Sequence, residues 1–325
     1  FSPEMLDWNY YYAQVVEEAQ RILKFWIDLG VDGFRFDAAQ HIFKDHNKNI
    51  GFWNMISAYV KSINKHTFLV GEVDNSSDMV APYLKPLDAC FDFDLSREVV
   101  QSLKNENASN FPMRMEKIIT HYKAVNKDYK DAIFLTNHDQ NRVMSEVGNN
   151  VDKAKLAANI LFTLPGIPYI YYGEEIGMKG EKPDEFIREP MLFAPEKEDE
   201  MRPKWMKPKY STDKTVESAM VQIKEDQSLW NHYSRLISMR KENRALQYGQ
   251  FENSSLSSKS VLAYYRIYNQ MRVLIINNVS ATAVTLTKEE KDNTLINPIY
   301  QTSKQTTVKG NKITLAPYST IILTN

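Results

Sequence analysis

A chain of 325 residues, 43% hydrophobic and 25% charged, has the balance of an ordinary globular protein and the length of one large barrel or two domains. A formal net charge of -1 without a basic stripe speaks against a nucleic-acid partner, and no apolar run is long enough for a membrane span. The single cysteine, Cys90, rules out an intrachain disulfide and leaves the redox compartment open.

The first predicted element is a helix. Tyr12, Val15, Val16, Ala19, Ile22, Leu23 and Trp26 recur at the i, i+3, i+4 spacing of one buried face, and Glu17, Glu18, Arg21 and Lys24 fill the other. Gly30 stops it, because the chain leaves a helix most cheaply through a glycine. Strands are then predicted at 31–36 (VDGFRF), 67–73 (TFLVGEV), 88–94 (DACFDFD), 131–135 (DAIFL) and 167–172 (IPYIYY). Val31, Phe34 and Phe36 mark the first of these as buried, with Arg35 and Asp37 placing charge at its end. Amphipathic helices fall near 52–65, 96–104, 111–126 and 151–163, which supplies the crossovers that parallel strands need. From 173 to about 228 the pattern breaks into a stretch rich in proline and charge, and so long a loop in a compact protein is usually functional. A last amphipathic helix at about 229–243 carries Leu229, Tyr233, Leu236, Ile237 and Arg240. Residues 260–325 then alternate like a small antiparallel sandwich, which places a domain boundary near 246: a barrel part over 1–245 and a β-sandwich over 246–325.

Three polar clusters share one address, the C-terminal end of a predicted parallel strand. They are Arg35 with Asp37, Glu72 in FLVGEV, and His138 with Asp139 in FLTNHDQNR. In a parallel α/β barrel the βα loops converge at that end, so the three carboxylates are expected in one cavity. Like charges held close cannot all ionise freely, and one pKa must rise. Arg35 suits holding Asp37 anionic, whereas Glu72 lies between apolar neighbours and is the better proton donor. An ionised and a protonated carboxyl together are the equipment for glycoside hydrolysis. Taken singly, each cluster also fits a structural ion pair or a cap; the conjunction is what discriminates.

Segments 30–41 (GVDGFRFDAAQH), 68–73 (FLVGEV) and 134–139 (FLTNHD) resemble three signature segments of the α-amylase family of retaining glycoside hydrolases, glycoside hydrolase family 13. The likeness continues through GIPYIYYGEEIGM and IREPM into the β-rich C-terminal part. It implies the last five strand–helix units of a (β/α)8 TIM barrel followed by an antiparallel β-sandwich. It also implies Asp37 as nucleophile, Glu72 as general acid/base and Asp139 as transition-state stabiliser, with Arg35 orienting Asp37 and His138 binding sugar hydroxyls. Gln40 stands where many α-amylases carry a lysine beside the sugar, just before His41, and these two with Arg188 of IREPM complete the implied substrate-binding set.

The segment MLDWN (5–9) is similar to a short motif of enzymes intermediate between oligo-1,6-glucosidases and neopullulanases, with Leu6 and Trp8 as departures. No counterpart of the family's first signature segment, first three strands or inserted domain is found, and an open remnant would expose sheet edges. The resemblance therefore implies a companion N-terminal fragment of the same parent polypeptide. It also implies a structural Ca2+, to which this chain would lend the His41 backbone oxygen and Asp7. The substrate implied is a starch-like α-glucan met outside the cell or at its surface, although a cytoplasmic location fits too. Alternatives on the same fold are a transglycosylase and a non-catalytic carbohydrate-binding relative.

Overall fold

The computed structural model describes residues 6–325, so Met5 of the MLDWN segment lies outside it. Five strands, β1 (Gly33–Phe36), β2 (Phe68–Gly71), β3 (Ala89–Phe91), β4 (Lys130–Ile133) and β5 (Ile167–Pro168), form one sheet in sequential order. The pairs are parallel, with Gly33 opposite Phe68, Gly71 opposite Cys90 and Phe91 opposite Ala132. Antiparallel sheets follow, which makes the chain an α/β protein with a β-rich end, as expected.

The chain divides into two compact units, residues 1–94 with 117–132, and residues 95–116 with 133–325. In the first, the helix Ala13–Asp28 precedes β1, and Gly30 at φ 94° makes the turn between them. A side chain at Gly33 would collide with the Phe68 carbonyl, so glycine lets β1 approach β2. The helix His46–Ile63 is capped by Asp45, whose carboxylate accepts from the N–H groups of Asn47 and Lys48. Its inner face (Phe52, Trp53, Ile56, Val60) is buried, as are Leu69 and Val70 of β2.

Three expectations need correction here. The apolar face predicted for the first helix is not core: Val15, Val16, Ala19 and Leu23 are half-buried, and Tyr12, Ile22 and Trp26 are exposed. Trp26 is 47% exposed, and only Ile27 of the helix is buried. Phe34 and Phe36 are half-buried rather than buried, with Phe36 packed on Trp53 at a centroid distance of 4.5 Å. The predicted strand 167–172 also shrinks to Ile167–Pro168, because Pro168 has no N–H to extend the ladder and the following residues turn.

In the second unit, Tyr169 just past β5 donates its N–H to the carbonyl of Ile133, the last residue of β4 (2.7 Å). The helix Val151–Thr163 is capped by Asn150 at its start. At its other end, the buried Arg240 donates to the carbonyls of Phe162, Leu164 and Gly166, groups a helix terminus leaves unpaired. Burial pushes this guanidinium down to about 10.

The remaining strands, β6 (Gln250–Asn253), β7 (Val261–Tyr268), β8 (Met271–Asn278), β9 (Val284–Thr287), β10 (Asn297–Gln301), β11 (Thr307–Lys309), β12 (Lys312–Leu315) and β13 (Thr320–Thr324), form two antiparallel sheets. Their orders are β10-β13-β8-β7-β6 and β11-β12-β9. Val261, Ala263, Leu274, Ile276, Ile313, Leu315 and Ile321 fill their core. Polar contacts hold them to the helix Val151–Thr163: the buried Arg266 donates to the Thr163 carbonyl at 2.5 Å, and Asn159 donates to the Thr320 hydroxyl at 2.9 Å.

Candidate active site

In the first unit, the β1–β2 ladder runs past the strands as assigned. The Glu72 N–H donates to the Phe36 carbonyl, and the Ala39 N–H donates to the Glu72 carbonyl, both at 2.9 Å. Asp37 and Glu72 therefore leave the sheet side by side. Ala38 then turns through a left-handed conformation (φ 43°, ψ 45°), costly for a residue with a Cβ, and aims its N–H at Glu72 Oε2 (3.0 Å). Arg35 bridges the two acids. One guanidinium nitrogen, Nη1, pairs with Asp37 Oδ1, and the other, Nη2, lies 2.8 Å from Glu72 Oε2.

The environments of the two carboxyls differ. The Asp37 side chain is 75% exposed, that of Glu72 only 14%. Burial pushes the Glu72 carboxyl above the usual range, against the pull of the Ala38 N–H and Arg35. The neighbouring Asp37 charge and a hydrogen bond with Asp37 add to the rise. Oε2 accepts from both Ala38 and Arg35, which leaves Oε1 as the oxygen to carry a proton.

Gln40 and His41 lie in the short 3-10 turn Ala39–His41, braced by the Trp53 indole N–H donating to the Ala39 carbonyl at 2.7 Å. The Gln40 side chain reaches the 74–75 turn, donating to the Asp74 carbonyl and accepting from Asn75. His41 is exposed. Asp7 is exposed too, and accepts from the Trp8 N–H. Among the described residues no group of three or more His, Cys, Asp or Glu could hold a metal. The His41 carbonyl and Asp7 alone fall short of the roughly six to eight oxygens calcium takes, so these residues do not by themselves make a calcium site.

In the second unit, Asn137 Oδ1 accepts the Asp139 N–H at 2.9 Å and shapes the turn after β4. His138 Nε2 lies 3.3 Å from Asp139 Oδ2, and Arg188 Nη2 donates to Asp139 Oδ1 at 2.7 Å. Arg188 also donates from Nε to the His138 carbonyl (2.8 Å) and from Nη2 to Asp184 Oδ2 (2.8 Å). Asp139 walls a cleft of about 290 Å³ with Arg97, Val100, Leu135, Asn141, Glu146 and Lys182.

The structure thus gathers Arg35, Asp37 and Glu72 in one unit and His138, Asp139 and Arg188 in the other. Sequence reasoning missed the second partner of Arg35, because nothing in FRFD says that one guanidinium spans two strands. It also missed Asp184, although its i, i+4 offset from Arg188 on the helix Asp184–Ile187 was a legible signal.

In both units of this α/β chain an acid that follows a parallel strand is held by an arginine. Residues 1–249 match the alpha amylase catalytic domain, and residues 261–322 match the C-terminal domain of the alpha-amylase SusG. The chain belongs to the α-amylase family. It is 39% identical over 325 residues to Alpha-amylase 3 of Dictyoglomus thermophilum, covering 99% of this chain and 64% of that protein. It is 33% identical to a 4-alpha-glucanotransferase of Thermotoga neapolitana, covering 86% of this chain and 62% of that one. The crystal structure of an alpha-amylase from H. orenii superposes with a TM-score of 0.90 at 34% identity, over all of this chain and 67% of that one. The chain therefore spans just under two thirds of the length of the first two relatives.

Proposed function

We propose that the protein carrying this chain hydrolyses α-1,4-glucosidic bonds of starch-like glucans or maltooligosaccharides by a retaining double displacement. The observation that carries the reading is the Arg35 bridge between an exposed Asp37 and a half-buried Glu72 whose carboxyl burial pushes above its usual range. In this reading Glu72 passes its proton to the glycosidic oxygen while Asp37 attacks the anomeric carbon. The C–O bond to the leaving sugar breaks as the Asp37–glycosyl bond forms. Glu72, now a carboxylate, takes a proton from water, which releases the sugar and restores both acids. Asp139, held by Arg188 and His138, stabilises the oxocarbenium-like transition state. Gln40 and His41 serve the sugar beyond the scissile bond. An N-terminal portion of the parent polypeptide and a location outside the cell belong to the same reading.

A second reading, glycosyl transfer to a sugar, is favoured by the likeness to the 4-alpha-glucanotransferase. Incubating the complete protein with soluble starch, pullulan and maltotriose, and identifying the products, separates the two. Shortened glucans alone support hydrolysis, and products longer than maltotriose support transfer. Absence of turnover on all three substrates overturns both.

A further inference from the structure

The segment after the helix Asp184–Ile187 holds a carboxylate that no role above uses. Glu189 is fully buried, at 0% exposure. Its Oε1 accepts the backbone N–H groups of Lys209 (2.5 Å) and Tyr210 (2.9 Å), and its Oε2 accepts that of Ser211 (2.6 Å). Three consecutive amides converging on one carboxylate form a cradle for an anion, here filled by a side chain of the same chain. Charge-assisted bonds of this kind are about twice as strong as neutral ones.

What the cradle closes is informative. Residues 190–208 form an excursion between Glu189 and Lys209: Leu192 is still buried in the local core, Phe193, Met201 and Trp205 are exposed, and Arg202 pairs with Asp213. The next residue inward from Glu189 is Arg188, the guanidinium on Asp139. The backbone on either side of Arg188 is gripped as well, with the Tyr171 hydroxyl donating to the Ile187 carbonyl (3.0 Å) and the Tyr172 hydroxyl to the Glu189 carbonyl (2.9 Å). Those two rings lie against the buried Arg142 guanidinium, at 4.5 and 4.7 Å from their centroids. Ser211 completes the closure by bonding both the N–H and the carbonyl of Lys179.

We propose that Glu189 is a positioning residue, whose carboxylate clasps the 190–208 excursion shut and through Arg188 keeps Asp139 aligned. The catalytic half of this rests on the glycoside reading above; the clasp itself does not. A side chain that merely fills space would touch several apolar neighbours, whereas Glu189 spends both oxygens on the returning backbone.

The test uses the complete protein with Glu189→Gln, Arg188→Lys and the double variant. Glutamine keeps the shape but turns an NH2 toward at least one of the three N–H donors. Loss of the clasp should speed tryptic cleavage after Lys204 by about tenfold with the melting temperature little changed. On maltooligosaccharides kcat should fall about tenfold with KM nearly constant, because misalignment acts on the transition state. In the Arg188→Lys background the same substitution should cost little, since a residue acting through another is not additive with it. Unchanged cleavage after Lys204, or full additivity with Arg188→Lys, overturns the proposal. Should Glu189→Gln fail to fold, amide exchange on the unmutated protein decides: slow exchange at 209–211 supports the clasp, and exchange as fast as an open loop overturns it. Absence of turnover on any α-glucan by the unmutated protein removes the glycoside reading, and the cleavage and exchange results still decide the clasp.

Discussion

Glu72 and Glu174 are both carboxyls that burial makes hard to ionise, in two regions that use the property differently. Glu72, at the end of β2, is half-enclosed and shares Arg35 with an exposed partner acid. Glu174, in the turn after β5, is buried, accepts the Tyr233 hydroxyl at 2.8 Å, and is pushed up to about 8 by burial, with the charge of Glu175 adding. A raised pKa therefore does not by itself mark a catalytic acid. Access and an ionic partner on the same arginine are what distinguish Glu72.

The comparison breaks if the two residues behave alike on mutation. Glu72→Gln should lower turnover of α-glucans by about a thousandfold while the melting temperature holds or rises, since the neutral amide replaces a carboxyl that is costly to ionise. A severe loss of stability in a thermal melt would instead make Glu72 structural. Arg35→Met should cost about a hundredfold in kcat. It should also shift the basic limb of the pH–rate profile upward, because Arg35 is one of the groups that pull the Glu72 carboxyl down. A limb that stays in place would remove Glu72 from the role of acid.

Glu174→Gln should leave turnover within about twofold and act on stability alone, because the residue touches no candidate site group. The Glu174 carboxyl titrates higher in the fold than in the unfolded chain. Its contribution is therefore fully present below about 4.5 and lost as pH rises through about 8. Melting temperatures of the unmutated protein should fall relative to the variant across that window, which thermal scans at several pH values would read. Parallel curves would show that Glu174 ionises in the fold as freely as in the unfolded chain.

Much of this was legible in the sequence where one element decides the outcome. The strand–helix rhythm, the Gly30 turn and the acids just past β1 and β2 and in the turn after β4 follow from local pattern, and helix 151–163 appears over the residues expected. The failures came where a neighbour decides. The apolar face of the helix Ala13–Asp28 reads as core from its period, yet period does not say whether anything covers it. Glu189 sits in an aperiodic, proline-rich stretch, and its partners, the amides of 209–211, are visible only once the excursion closes.

The left-handed backbone at Ala38 has a consequence for how this protein can change. Glycine at that position would relieve the strain and raise stability, at the expense of a looser N–H on Glu72. Valine, isoleucine or threonine would be refused outright, since a branched Cβ is least tolerant of positive φ. The position is thus a narrow gate for sequence drift, closed to branched side chains and open to glycine, asparagine and aspartate besides the alanine it holds.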